Sequence, residues 1–276
     1  MYSDLKYSVL MSVYAKEKAD YLRLAMNSIW DQSAPADDFV LVCDGPLGPE
    51  LDAVVSEMQD SHPETLQVVR LKENGGLGNA LNTGIKYCRN ELVARMDSDD
   101  ISRRDRCSRQ LDVFKNDPSV GICSGTVEEF SVSPEIIETS RFLPETQEEI
   151  LVFAKNRNPF NHPCVMYKKS EVEAAGGYLD FYLLEDYYLW VRMLQSGTEG
   201  YNLKTPLLWM RAGSEMYKRR SGLKYAKSQK DLFSYMRKTG FIGRGQYVKS
   251  VLTRTASSLM PNRLREIMFK KVLRRQ

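Results

Sequence analysis

Three carboxylates lie within four residues of one another in the stretch RMDSDD, residues 95–100, at the end of an apolar segment. In an extended strand alternate side chains share a face, so we expect Asp97 and Asp99 to point the same way. Their repulsion favours a bound cation, and Mg²⁺ or Mn²⁺ takes one or two carboxylates together with phosphate oxygens and water. The string alone favours a solvated acidic turn, but its place at the end of a buried strand favours the metal site.

A second acidic pair, Glu185 and Asp186, opens a predicted helix over residues 185–195. On that helix Asp186 shares a face with apolar residues such as Leu189 and Met193, one and two turns further on. Burial raises the pKa of a carboxyl group, whereas a helix N-terminus lowers it. A carboxylate held in this way can act as a general base towards an alcohol. An acidic pair that only serves the helix dipole is an equally good interpretation of these residues alone.

Two further features follow strands. Asp44 ends the apolar run FVLVCD and is followed by Gly-Pro, so it can accept a hydrogen bond from a nucleobase or a ribose, although a turn-forming Asp is the simpler interpretation. The segment ENGGLGNALNTG, residues 73–84, is glycine-rich and opens a helix, which suits phosphate binding by free N–H groups. It matches neither standard nucleotide fingerprint, so a plain loop-to-helix junction is the alternative.

Short apolar runs alternate with helical patterns through the first part of the chain. Strands are predicted over 7–14, 39–44, 66–71 and 91–97, and helices over 19–30, 48–59, 76–88 and 103–115. Later strands are predicted over 120–130, 162–169 and 205–211, a helix with a capping box over 146–156, and helices from residue 221 onward. This alternation is typical of an α/β fold with a mostly parallel central sheet flanked by helices, in which ligands bind at the carboxyl ends of the strands.

The 276 residues, 42% of them apolar and 27% charged, suffice for one large domain with or without an appendage, and they exclude global disorder. No run approaches the 18 apolar residues of a spanning helix, and the N-terminus lacks the features of a signal peptide. The five cysteines are scattered without a CxxC pair. They indicate neither a disulfide framework nor a zinc site, and they fit a reducing cytosol.

The charge is unevenly distributed along the chain. Residues 1–215 carry 22 Lys and Arg against 34 Asp and Glu, whereas residues 216–276 carry 17 against 2. We therefore predict an acidic body over 1–215 and a basic helical extension over 216–276. Such an extension suits an anionic partner: a membrane surface, a nucleic acid, or the acidic body itself. In the last predicted helix, which starts at Pro261, basic residues line one side and an imperfect apolar stripe lies on another, as in helices that lie on membranes.

Taken in order, these motifs resemble the family 2 glycosyltransferases, which have the GT-A fold, over about residues 7–215. The motifs that carry the resemblance are SVLMSVY, Asp44 with Gly45, NGGLGNALNTG, ARMDSDD, the His-Pro pair at 162–163, GGY at 176–178, EDYYLWVRM and RAGSEMYKRR. Each is weak alone, but together and in this order they are specific. Within the family the pattern is most similar to bacterial enzymes that build surface polysaccharides.

The resemblance implies inverting transfer from a UDP-sugar to a hydroxyl of a glycan or lipid-linked acceptor, with Mn²⁺ or Mg²⁺ as cofactor. Asp186 would be the catalytic base, with Glu185 beside it, and Asp99, with Asp97, would ligate the metal. The residues implied for the nucleotide are Asp44 with Asn74 and Gly75, Val13 and Tyr14 at the base, Asp97 at the ribose, and Arg95 as a buried partner of the carboxylates.

One feature departs from the family pattern. Many relatives carry a metal-binding histidine at the position of Ala212 or Gly213, and this chain has none there. We therefore expect Lys218, Arg219 and Arg220 to help neutralise the diphosphate.

Two other functions remain open on the sequence. A sugar-phosphate nucleotidyltransferase would normally show a Gly- and Arg-rich loop after the first strand, and the segment YAKEKAD has none. A nucleic-acid-binding protein would use the basic tail but leave both acidic motifs unexplained. We therefore expect no nucleic acid partner. From the basic tail and the implied lipid-linked acceptor, we expect a cytoplasmic enzyme bound peripherally to the inner face of the cell membrane.

Overall fold

Apolar runs in the first hundred residues form four parallel strands at one side of a mixed sheet. The computed structural model describes residues 5–213 and 221–260. The parallel strands are β1 (Tyr7–Val13), β2 (Asp38–Cys43), β3 (Leu66–Arg70) and β4 (Leu92–Asp97), in the spatial order β3-β2-β1-β4. They are largely buried on both faces, as parallel strands usually are. The register sets Val13 opposite Cys43 and Ser12 opposite Asp97, so both predicted acidic strand ends flank the end of β1.

Beyond β4 the sheet is no longer parallel throughout. The remaining strands are β5 (Ile101–Ser102), β6 (Val120–Phe130), β7 (Thr139–Arg141), β8 (Met166–Lys168) and β9 (Glu199–Arg211). Strand β8 runs antiparallel between β4 and β6, β9 lies parallel to β6, and β5 and β7 pair antiparallel with β9 and β6. The predicted α/β fold is confirmed: β1 to β4 pair in parallel and so do β6 and β9, while every antiparallel pair involves one of the short strands β5, β7 and β8, whose direction hydrophobic periodicity could not predict.

Two predicted strands differ from those observed. The segment predicted as a strand over 162–169 begins with a short 3₁₀ helix, His162–Cys164. Pro163 lies in its first turn, where a backbone N–H would have no acceptor within the helix, so the lack of an N–H costs nothing there. Strand β9 starts at Glu199, six residues before the predicted start. Buried and exposed residues alternate in its early part, which lacks the continuous apolar run used for the prediction. Register shifts against β6 interrupt the pairing near Pro206.

Helices cover both faces of the sheet. They are α1 (Ala19–Trp30), α2 (Pro49–Ser61), α3 (Leu77–Ile85), α4 (Arg106–Asn116), α5 (Gln147–Ala154), α6 (Lys169–Ala174), α7 (Glu185–Gln195), α8 (Gly222–Lys238) and α9 (Arg244–Leu259). One core cluster joins the sheet to α1, α2 and α4, and another joins it to α3, α5 and α7. The predicted capping box is present at the start of α5, where Thr146 and Glu149 bond each other's backbone N–H groups.

The basic extension begins with two helices that pack on the body. A third apolar cluster joins Tyr187 and Val191 of α7 to Leu232, Phe233 and Met236 of α8. Part of the extension thus stabilises the helix that carries the acidic pair. The last predicted helix, from Pro261, lies outside the described residues. Among the helices that the structure describes, none has the length and hydropathy needed to cross a bilayer.

Candidate active site

The carboxylates of Asp97, Asp99 and Asp100 converge just beyond the end of β4. One oxygen from each lies within 4.8 Å of the other two. Asp97 is the last residue of the strand, and the chain turns at Ser98 and Asp99. The turn, rather than the alternation of an extended strand, therefore brings the side chains together, and it adds Asp100, which the sequence analysis had not singled out as a ligand.

The end of β9 holds this turn in place. The backbone N–H of Arg211 donates to Asp100 Oδ1 at 2.7 Å, and Arg211 Nε donates to the Asp99 carbonyl at 3.1 Å. The Arg211 guanidinium also stacks on the ring of Tyr21, 3.7 Å from its centroid. Asp100 Oδ2 is buried and has no hydrogen-bond donor among the described residues. The cluster thus contains a fixed oxygen that a cation would satisfy.

The electrostatics of the cluster favour a bound cation. Burial, and then the charges of Asp97 and Glu17, raise the pKa of Asp99 to about 7. Burial and the charge of Asp99 raise the pKa of Asp100 well above its ordinary value. Glu17 is close because its Oε2 accepts the Ser98 hydroxyl at 3.0 Å. Oxygen ligands of this kind fit Mn²⁺ or Mg²⁺, whose charge offsets the repulsion.

Arg95 lies beneath the cluster as a buried cation. Its side chain is 1% exposed and forms an ion pair with Asp97, donating from Nη2 to Oδ1. Its Nε and Nη1 have no acceptor among the residues that the structure describes. A charge-assisted hydrogen bond to one oxygen of Asp97 fixes the orientation of that carboxylate and leaves its other oxygen for a ligand.

Asp44 is the centre of a second group of contacts. Its Oδ1 accepts the Gly75 N–H at 2.8 Å and its Oδ2 accepts the Gly76 N–H at 3.0 Å, while the Asn74 side chain donates to its carbonyl. Gly45 must be a glycine here, since its φ is +86° and a Cβ would lie 2.7 Å from Asn74 N. The N–H groups of Gly75 and Gly76 are therefore engaged with Asp44, and the expectation of free N–H groups for a phosphate is corrected for these two residues.

The end of β1 adjoins Asp44, whose N–H donates to the Val13 carbonyl at 2.8 Å. The Val13 side chain is fully buried in the core, so only its backbone faces this edge of the sheet. Tyr14 is 39% exposed and its ring is accessible. Of the two residues predicted to line a nucleobase, only Tyr14 thus offers a side chain.

Helix α7 begins at the acidic pair, immediately after a strained residue. Leu183 has a φ of +58°, the only positive φ at a non-glycine among the described residues, and it packs against the apolar cluster between α7 and α8. Backbone strain of this kind is retained where packing enforces it, often at functional sites. Asp186 Oδ2 accepts the Asn158 side chain at 2.6 Å, and its Oδ1 accepts the Tyr187 N–H at 2.6 Å. The carboxylate is therefore oriented on both sides.

Glu185 connects this pair to the three-carboxylate cluster. Burial and the charge of Asp186 raise the pKa of Glu185 to about 7, and the charges of Arg95 and Asp97 also act on it. Helix α3, which follows the glycine-rich loop, comes close as well, since a Cβ on Gly78 would lie 3.9 Å from that of Glu185. The three-carboxylate cluster, the loop held by Asp44 and the acidic pair therefore share one region at the carboxyl ends of the strands.

A buried polar and aromatic layer supports the site. His162 Nε2 lies 3.0 Å from the Tyr178 hydroxyl, and burial, then the charge of Arg95, lowers the pKa of His162 well below its ordinary value. The Asn82 side chain of α3 bonds both the N–H and the carbonyl of Tyr178, at 2.8 and 2.5 Å. His162 is thus a neutral packed residue.

Sequence reasoning missed several contacts of this site. Asp100 had a signal in the DSDD string, and Asn82 lies in the glycine-rich motif although nothing there indicated its bonds to Tyr178. Asn158 and Glu17 lie far along the chain from their partners and no motif marks them. The predicted diphosphate residues Lys218, Arg219 and Arg220 lie outside the described residues.

Comparisons with known proteins agree with this geometry. The model of "Glycosyl transferase family 2" matches residues 8–173. The chain is 38% identical over 272 residues to the Escherichia coli UDP-Gal:alpha-D-GlcNAc-diphosphoundecaprenol beta-1,3-galactosyltransferase, covering 98% of this chain and 97% of that protein. It is also 38% identical over 268 residues to the amylovoran biosynthesis glycosyltransferase AmsE of Erwinia amylovora, covering 96% and 98%.

A solved structure shares the fold. The mannosyltransferase PcManGT from Pyrobaculum calidifontis, solved in complex with GDP-Man and Mn²⁺, matches with a TM-score of 0.66 at 17% identity, over 92% of this chain and 70% of that one. The resemblance in motifs, the α/β fold with a GT-A-like sheet, and the sequence matches agree: this chain belongs to glycosyl transferase family 2.

Proposed function

We propose that this glycosyltransferase moves a sugar from UDP to a hydroxyl of a lipid-linked or glycan acceptor in bacterial surface polysaccharide synthesis, with inversion at the anomeric carbon. The observation that carries the proposal is the meeting of the Asp97–Asp99–Asp100 cluster with the acidic pair at the start of α7. The names of the E. coli and Erwinia relatives support the donor and the acceptor class. We assign this activity to a catalytic body over residues 1–215 and treat residues 216–276, whose basic charge sets them apart, as an extension of it.

The donor nucleotide is assigned to the ends of β1, β2 and β4. Each Asp44 oxygen accepts one backbone N–H and retains capacity to accept a hydrogen bond from the uracil. The accessible ring of Tyr14 provides a stacking surface for the base. Asp97, oriented by Arg95, accepts from the ribose. Lys218, Arg219 and Arg220 remain the residues assigned to the diphosphate charge.

Asp99 and Asp100, together with Asp97, would hold Mn²⁺ or Mg²⁺. When bound, such an ion supplies Lewis-acid stabilisation of the leaving diphosphate. The protein's own contribution is to fix its ligands: Arg211 bonds Asp100 and the Asp99 backbone, and Arg95 bonds Asp97.

Asp186 is assigned as the base that accepts the proton of the acceptor hydroxyl. Asn158 donates to one of its oxygens and thereby sets its orientation. Glu185 is the second candidate: its pKa of about 7 would suit a general base near neutral pH, but the Asn158 side chain donates to Asp186 and orients that carboxylate instead. A single displacement with one base gives inversion, whereas retention by double displacement needs a nucleophile on the opposite face.

A product analysis tests this proposal. The purified chain is incubated with UDP-sugars and Mn²⁺, without acceptor and with the α-D-GlcNAc diphosphate lipid named for the E. coli relative or with a panel of other glycans. We expect release of UDP only in the presence of the divalent ion, and a product with the anomeric configuration opposite to that of the donor. Proton NMR of the product measures the configuration. Retention of configuration, or UDP release that chelation leaves unchanged, would contradict the mechanism.

The basic C-terminal segment is proposed to hold the enzyme peripherally at the inner face of the cell membrane, where a lipid-linked acceptor would lie. Its last 16 residues contain six Lys and Arg against one Glu. Replacing Arg263, Lys270 and Arg274 by Gln should lower partitioning onto anionic vesicles roughly 10²-fold, because each basic residue near the surface contributes about 1 kcal/mol. Vesicle sedimentation at low salt measures this, and added salt should weaken the wild-type binding.

The matched control replaces three exposed body lysines, Lys6, Lys86 and Lys115, by Gln, which removes the same charge and should leave sedimentation nearly unchanged. Equal sedimentation of the tail variant and the wild type would contradict membrane binding. If the tail variant instead melts at a lower temperature, the segment packs on the acidic body.

A further inference from the structure

Three arginines from separate elements lie within electrostatic range of one another, and two of them act on Tyr187, the residue after Asp186. They are Arg141 at the end of β7, Arg157 in the segment after α5, and Arg254 on α9. The Arg254 guanidinium donates from Nη2 to the Asn156 carbonyl, and two residues further on Asn158 donates to Asp186 Oδ2 at 2.6 Å. Arg157 lies between these two residues in the chain, and its charge acts on Tyr187, the residue after Asp186.

Tertiary contacts fix the other two arginines as well. The Arg141 carbonyl accepts the Asn161 side chain at 3.3 Å, which ties β7 to the same segment, and its guanidinium lies 3.8 Å from Glu129. Arg254 stacks on the ring of Phe233 in α8, 4.9 Å from its centroid. The α9 helix is joined to the segment a second time through Gln246, whose side chain donates to the Lys155 carbonyl at 3.2 Å.

The charges of the three side chains act on one another. Burial lowers the pKa of Arg157, and the neighbouring charges of Arg141 and Arg254 lower it further. Burial raises the pKa of Tyr187, the residue after Asp186, on which Arg254, Asp186 and Arg157 all act. Like charges brought this close destabilise the protein unless carboxylates or a bound anion offset them. The Arg fork binds phosphate oxygens in a bidentate manner, which makes a phosphate group a suitable anion.

The surface next to this cluster is partly apolar. An open cavity of about 610 Å³ is lined by Asn156, to which Arg254 bonds, by the apolar residues Pro144, Val152 and Phe153, and by the acidic residues Glu148 and Glu149. Val152 is 65% exposed. In an acceptor that carries a phosphate group followed by a hydrocarbon chain, the phosphate would match the arginines and the chain would match the apolar part of this surface.

We propose that Arg141, Arg157 and Arg254 bind the diphosphate of a lipid-linked acceptor and so place its sugar hydroxyl at Asp186. The inference rests on the proposed function and extends it, since it assigns the acceptor diphosphate to residues separate from those assigned to the donor. The charges of Arg95 and Asp97 at the donor carboxylates act on Glu185, whereas the segment that carries Arg157 reaches Asp186 through the Asn158 hydrogen bond.

Binding of a defined probe tests the assignment without knowledge of the acceptor sugar. Decyl diphosphate is titrated by calorimetry into the full chain saturated with UDP and Mn²⁺, so that the donor site is filled, and decyl maltoside serves as the uncharged probe. We expect the wild type to bind decyl diphosphate more tightly than decyl maltoside. Arg157→Gln and Arg254→Gln should each weaken decyl diphosphate binding at least about tenfold, since each removes a charge-assisted contact.

Two controls separate charge from folding. Arg109→Gln removes a half-exposed arginine that pairs with Asp105 on α4, and it should bind the probe as the wild type does. Arg157→Lys and Arg254→Lys retain the charge without the fork and should recover part of the affinity. Arg141 is not varied, because its removal would leave the buried Glu129 without this cation.

Three results would overturn the inference: no binding of decyl diphosphate by the wild type, equal binding by the Gln variants, or equal binding of both probes. A loss of UDP affinity in the Gln variants would also overturn it, because the cluster would then belong to the donor site. The proposed function fails independently if the wild type binds no UDP. In that case decyl diphosphate binding to the UDP-free chain, compared between wild type and variants, still reports on the cluster.

Discussion

Asp186→Asn is expected to abolish most sugar transfer while leaving the fold and UDP binding intact. The amide preserves the size of the side chain, and its oxygen can still accept the hydrogen bond from Asn158. It cannot accept the proton of the acceptor hydroxyl. Loss of a positioned base lowers the rate about 10²- to 10⁴-fold. Steady-state kinetics with saturating donor measure the change in kcat, and calorimetry with UDP and Mn²⁺ measures donor binding.

Asp180→Asn is the matched control, because Asp180 is exposed and lies shortly before α7 in the same chain segment. Its kinetics should be those of the wild type. A transfer rate in Asp186→Asn within a few-fold of the wild-type rate would exclude Asp186 as the base and leave Glu185 as the next candidate.

The pH dependence of the residual activity distinguishes the two carboxyl groups. Burial and the negative charge of Asp186 together raise the pKa of Glu185 to about 7. In Asp186→Asn the second cause disappears, so the pKa of Glu185 falls below that value. If Glu185 substitutes as the base, the residual rate should be retained at neutral pH and lost as the pH falls through this lowered pKa, because a base must be deprotonated to act. Glu185→Gln added to Asp186→Asn should remove that residual rate.

Asp99→Ala is expected to remove the metal-dependent part of UDP affinity. Asp99 lies at the centre of the acidic turn, with its oxygen within 4.8 Å of those of Asp97 and Asp100. Even residues that only orient a metal ligand contribute about 10- to 100-fold to metal affinity, so loss of a ligand should cost at least about 10²-fold. Calorimetric titration of UDP with and without Mn²⁺ measures this difference, and the remaining affinity should no longer respond to the ion.

The fold should tolerate this change. Burial and the charges of Asp97 and Glu17 raise the pKa of Asp99, which means that its carboxylate is destabilised in the metal-free protein. Removal of that charge should therefore not lower the melting temperature of the metal-free chain. Asp60→Ala, at an exposed position of α2, controls for the loss of one negative charge. Metal-dependent UDP binding at wild-type affinity in a folded Asp99→Ala protein would place the metal elsewhere.

The C-terminal extension also has consequences for experiments. Helix α8 completes an apolar cluster with Tyr187 and Val191, on the helix that begins at the acidic pair. A truncation near Gly222 would expose that cluster, so loss of activity in such a variant would not report on membrane binding. Substitutions beyond Met260 keep helix α8 in the chain and are therefore the better test of the membrane proposal.

Local patterns in the sequence determined the elements and the two acidic motifs. The β-strand and helix periodicities of the first hundred residues predicted β1 to β4 and the helices between them to within a few residues, and α7 from Glu185 to Gln195 was predicted at its observed bounds. These features depend on side chains a few positions apart, and short-range periodicity records such spacings. The placement of RMDSDD and Asp44 at strand ends followed for the same reason.

Tertiary structure alone decided how those elements meet. The direction of β8, the bond from Arg211 to Asp100 and that from Asn158 to Asp186 join residues that lie up to 111 positions apart. The Gly75 and Gly76 N–H groups, which look free in the sequence, are bonded to Asp44, and Arg141, Arg157 and Arg254 have no shared motif that would reveal their proximity. Such contacts arise from packing of distant segments, whose geometry depends on the whole sheet and leaves no local periodicity in the chain.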